Sequence, residues 1–97
     1  MNTDIARAIA KRELAQYLDH TWNELRALLP NQPLTSEIVG SDSKEYQIEV
    51  SLFWDSLPEQ DIRISCSVDD GGIRAYFPIT ESSLKSKTAE QGAAANP

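Results

Sequence analysis

The stretch Glu45–Trp54 constrains this chain more than any other. Tyr46, Ile48, Val50, Leu52 and Trp54 alternate with Gln47, Glu49, Ser51 and Phe53. A period of two places one set on each face of an extended strand, so this segment reads as half-buried β-structure. Asp61–Asp69 repeats the pattern, with Ile62, Ile64, Cys66 and Val68 to one side and Arg63, Ser65 and Ser67 to the other. The intervening Asp55–Gln60 contains Pro58 and reads as the loop of a hairpin. Parity then sets Leu52 opposite Ile64 and Val50 opposite Cys66, with all four side chains on one face. A sheet that is apolar on one face needs a cover.

The cover precedes it. Ala6, Ala10, Leu14, Tyr17, Leu18, Trp22, Leu25, Leu28 and Leu29 recur at spacings of three and four, which draws one apolar stripe along a helix from Asp4 to Leu29. Thr3 is the expected N-cap, with Asp4 in the first turn, and Pro30 ends the helix. Asp19-His20-Thr21 are weak helix formers, and Thr21-Trp22-Asn23-Glu24 has the form of a capping box. A bend near His20 is therefore the alternative. The stripe passes through without a change of phase, which favours one continuous helix.

Two more strands are expected. Leu34–Val39 is polar and close to Pro33, which suits an edge. Ile73–Phe77 follows Asp70-Gly71, a dipeptide suited to a type I′ hairpin turn. That turn would pair Val68 with Ile73, Cys66 with Ala75 and Ile64 with Phe77. Ile79–Leu84 reads as a short capped helical turn, and no apolar period follows it. The expected fold is thus α+β and two-layer: a long N-terminal helix packed on a four-stranded antiparallel meander sheet, with a short C-terminal helical turn. Residues 1–85 form the single expected domain, and 86–97 a flexible tail.

Charge and composition narrow the function classes. The 97 residues suit one domain, and the apolar runs fall far short of the ~20 residues that cross a bilayer. The N-terminal residues lack the pattern of a secretory signal, and the single cysteine can form no internal disulfide, so a cytoplasmic location is expected. Of the net charge of −6, residues 1–33 contribute nothing, with four acids against four bases. Residues 34–81 hold ten acids against three bases. Such a surface repels phosphate backbones and attracts a basic protein.

No catalytic, metal or cofactor set is expected. His20 is the only histidine, and Asp19 beside it projects from a different helix face. Cys66 lies on the inward side of its strand, where a thiol stays protonated. Asp42, Asp55, Glu59, Asp61, Asp69 and Asp70 sit in or beside turns without calcium-loop spacing. Gly71-Gly72 joins two strands and makes no phosphate loop.

The outward sheet face carries the more informative residues. The expected register places Glu49, Ser67 and Arg74 in one row, then Ser51, Ser65 and Tyr76, then Phe53 beside Arg63. Aromatic and arginine side chains on a background of small residues are interface components. Phe53, Arg63, Arg74 and Tyr76 are therefore the expected partner-binding residues. The leading expectation is a non-enzymatic protein-binding domain, of an acidic inhibitor or immunity type or a small regulatory subunit. The alternatives are a small-molecule or enzyme domain using loop carboxylates such as Asp55 and Asp61, and a homodimer or larger homo-oligomer formed through the outer face.

Overall fold

A computed structural model of the chain describes residues 2–72 and 78–87. Two helices, α1 (Thr3–Leu18) and α2 (Trp22–Leu28), and a 3₁₀ turn (Leu29–Asn31) precede four strands: β1 (Leu34–Val39), β2 (Glu45–Trp54), β3 (Ile62–Asp69) and β4 (Ile79–Lys85). The strands form one antiparallel sheet in the order β1-β2-β3-β4, a meander with β1 at its edge. The fold is α+β, with two layers.

The β2–β3 hairpin has the register that alternation implies, Leu52 against Ile64, Val50 against Cys66 and Phe53 against Arg63. The inward side chains of both strands, with Ala6, Ile9, Ala10 and Leu14 of α1 and Trp22 and Leu25 of α2, make the core. Ile9, three residues after Ala6, also belongs to that stripe, although the expected one omitted it. Tyr46 is fully buried, and its hydroxyl donates to Asp42 Oδ2 at 2.7 Å. A Cβ on Gly40 would lie 2.7 Å from the Tyr46 ring, so this turn requires glycine for close approach.

The single long helix is corrected to two. The α1 helix ends at Leu18, and Thr21 starts α2 with a complete capping box: its hydroxyl accepts from Glu24 N–H, and the Glu24 carboxylate accepts from Thr21 N–H. Two satisfied N–H groups outweigh the continuity of the apolar stripe. The N-cap of α1 is Asn2, not Thr3; its side chain accepts from the N–H groups of Asp4 and Ile5.

The helical turn expected at Ile79–Leu84 is also corrected. These residues belong to β4, which pairs with β3 through Val68–Ile79, Cys66–Glu81 and Ile64–Ser83. Those are the positions expected for Ile73, Ala75 and Phe77. The expected strand Ile73–Phe77 itself lies outside the described residues. Only Gly71 of the Asp70-Gly71 pair has positive φ, at 81°, so a type I′ turn does not form. Instead Gly71 N–H donates to the Asp69 side chain and Gly72 N–H to that of Asp70.

The reason β4 escapes the alternation rule is its polarity. Glu81, Ser83 and Lys85 face the helix layer, while Thr80, Ser82 and Leu84 face outward. The helices supply partners for the inward charges. Arg7 Nη1 and Lys11 Nζ lie 3.7 and 3.9 Å from Glu81 Oε1, and Lys85 Nζ donates to the Leu18 carbonyl at the end of α1. A cation there meets the negative end of the helix dipole. Of the expected tail 86–97, residues 88–97 lie outside the described residues; Lys87, within it, donates its N–H to Asp61 and its ammonium to the Glu59 carbonyl.

Candidate protein-binding face

Among the described residues, the helices cover one face of the sheet and leave the other open. Strand alternation therefore decides which side chains the open face presents. At one end, Phe53, Arg63 and Leu84 stand in a single row across β2, β3 and β4. Phe53 is 45% exposed and Leu84 39%, values that stand out on a chain whose other apolar strand residues are mostly buried. Arg63 lies between them with its Nε held 2.8 Å from Asp55 Oδ1. The pair fixes the guanidinium over the sheet without removing it from solvent.

The next row is Ser51, Ser65 and Ser82, and beyond it lie Glu49, Ser67 and Thr80, where the Ser67 and Thr80 hydroxyls are 3.1 Å apart. The far end is acidic: Glu37, Gln47 and Asp69 share a row. The face thus grades from aromatic, arginine and leucine at one end, through a band of small hydroxyls, to carboxylates at the other. Leu57, 64% exposed in the loop between β2 and β3, adds apolar area at the Phe53 end.

Of the four residues expected to bind a partner, Phe53 and Arg63 meet as the register requires. Arg74 and Tyr76 lie outside the described residues, and their expected places beside Ser67 and Ser65 are held by Thr80 and Ser82. Leu84 was missed by sequence reasoning. Reading Thr80, Ser82 and Leu84 as one alternating set would have found it.

The groups with chemical potential lie apart from this face or are bound within the fold. Cys66 is fully buried in the central strand, and burial, followed by the Glu13 carboxylate, pushes its thiol up to about 11. His20 is exposed between the helices, with Nδ1 3.6 Å from Glu24 Oε2. The loop carboxylates each have a partner: Asp55 takes Arg63, Asp61 takes the Lys87 N–H, and Glu59 accepts both Nε and Nη2 of Arg26. The Arg26 guanidinium holds the Glu59 carboxyl below its ordinary value. Among the described residues no three His, Cys, Asp or Glu side chains gather as a metal site, and no helix is long and apolar enough to cross a membrane. No family model, curated protein or solved structure matches the chain.

Proposed function

We propose that this chain is a non-enzymatic protein-binding domain that docks a partner on the open face of its sheet. It would act in the cytoplasm as an acidic inhibitor or a small regulatory subunit. The observation that supports this reading is the row Phe53–Arg63–Leu84. An aromatic ring and a leucine flank an oriented guanidinium, on rigid strands, next to a band of serines. Binding energy concentrates in such anchors, and small neighbours let a partner close over them. The engagement of Asp55, Glu59 and Asp61 in internal pairs gives the loop-carboxylate alternative less support.

The test compares quantitative capture from host extract by the wild-type chain, Phe53→Ala and Leu84→Ala. Both substitutions remove exposed area, so the variants should keep the wild-type Tm within a few degrees. A partner retained by wild type should be lost by each variant, and its affinity should fall roughly thirtyfold, the scale of an anchor worth ~2 kcal/mol. Equal capture by all three proteins would sink the sheet-face reading.

A further inference from the structure

The edge strand β1 offers a second surface, independent of the Phe53 row. Gly40 N–H donates to the Lys44 carbonyl at 2.8 Å, in register with the β1–β2 ladder. Backbone groups alternate in direction along a strand, so those of Ile38, Ser36 and Leu34 also point toward β2. The N–H and C=O groups of Thr35, Glu37 and Val39 therefore point off the edge. Among the described residues no strand lies beyond β1 to receive them. Such a row is a template for one more strand.

The two sides of that edge differ in chemistry. The α1 helix crosses chiefly over β3 and β4, which leaves a groove of about 370 Å³ between it and β1. Ile5, Ala8, Ile9, Ile38 and Val39 line the groove. Asp4 and Arg12, also on its walls, offset one another in charge. On the opposite, open face a hollow of about 280 Å³ is bounded by Glu37, Glu49 and Asp69 around Gln47. A strand added here would place alternate side chains over an apolar groove and beside carboxylates.

We propose that the β1 edge takes an extended segment of a basic partner as a fifth strand, its apolar side chains over the α1–β1 groove and its alternate Lys or Arg side chains beside Glu37 and Glu49. A second copy of this chain suits the edge poorly. The two-fold antiparallel register that uses Thr35, Glu37 and Val39 together is centred on Glu37, and it sets two carboxylates directly opposite. A basic strand turns the same position into an attractive pair.

The experiment titrates the isotope-labelled full chain with a short capped peptide alternating lysine with valine, followed by NMR. Amide shifts should concentrate in 34–41 and 5–12, spare Phe53, Arg63 and Leu84, and weaken with added salt. Thr35→Pro removes an off-edge N–H while leaving the β1–β2 ladder bonds in place, and Glu37→Lys reverses the charge. Each should weaken binding about three- to tenfold, the scale of one or two net hydrogen bonds. If Thr35→Pro perturbs folding, Glu37→Lys carries the test, since exposed substitutions of this kind leave stability nearly unchanged. The proposal is overturned by no shifts at 34–41, by equal binding of a peptide with the same residues in blocks or with glutamate for lysine, or by sedimentation of the free chain as a β1–β1 dimer. Shifts confined to the Phe53 row would overturn it while supporting the open-face reading.

Discussion

The inward side of β3 decides the chemistry of Cys66. The alternation Ile62, Ile64, Cys66, Val68 places it inward, and the structure leaves it with no exposed surface. Its thiol ionises near 9.0 when free and is pushed up to about 11 in the fold. Between those values the folded chain keeps a proton that the unfolded chain has lost, so stability falls as pH rises through that window. The interval corresponds to ~3 kcal/mol. Denaturant titration at pH values across that range should show the loss, and Cys66→Ala should reduce the slope, the remainder coming from Tyr17 and Tyr46, whose hydroxyls burial also pushes up. A slope unchanged in Cys66→Ala would place the titrating group elsewhere. Trp22 is the complementary case. Its place on the helical stripe is legible, and it is 6% exposed. Its partners are not legible: the Trp54 ring with centroid 6.0 Å away, the Gln60 carbonyl at 2.8 Å from Nε1, and the Lys87 ammonium 5.1 Å over the ring.

At the scale of elements, the break between α1 and α2 turns on local hydrogen bonding. Thr21→Ala removes the hydroxyl that accepts from Glu24 N–H, and loss of such a cap costs ~1 kcal/mol. Thermal unfolding should register this as a fall in Tm of roughly 4–8 °C for a domain of this size. Thr21→Ser should recover it. An unchanged Tm in Thr21→Ala would mean that the helices are joined by packing and not by the cap. The capping signature was visible in the sequence, and so was the competing stripe; the two N–H groups satisfied by the Thr21–Glu24 box tilt the balance. For β2 and β3, one face is apolar throughout, and the pleat alone specifies their pairing. For β4 it does not, because its inward positions are Glu81, Ser83 and Lys85.

The molecule as a whole is tied together by carboxylates as well as by its core. Burial-independent hydrogen bonds hold several of them below their ordinary values: Glu24 through the Thr21 N–H, Asp42 through the Tyr46 hydroxyl, Glu59 through Arg26, and Asp70 through the Gly72 N–H. These groups ionise more readily folded than unfolded, so the stability they contribute is complete above 4.5 and is lost as pH falls further. Melting temperature measured from about pH 7 to pH 3 should be level at first and then decline. Glu59→Gln should reduce the decline, since Arg26 then loses a charged partner that links α2 to the β2–β3 loop. A Tm that holds level to the lowest pH would show that the pairs contribute nothing in solution.

The layer architecture, the central hairpin and its register, the edge position of β1, the burial of Cys66 and the outward pairing of Phe53 with Arg63 all follow from the sequence by itself. Each rests on periodicity, which is a local property that one strand or one hairpin fully expresses. Which segment became the fourth strand was decided only by tertiary structure. Ile79–Lys85 pairs with β3 along its whole length, and Arg7, Lys11 and the Leu18 carbonyl at the end of α1 meet its inward charges. Those partners are about seventy residues away along the chain, and no window of sequence contains both. The same decision brought Leu84 beside Arg63 and completed the row on the open face.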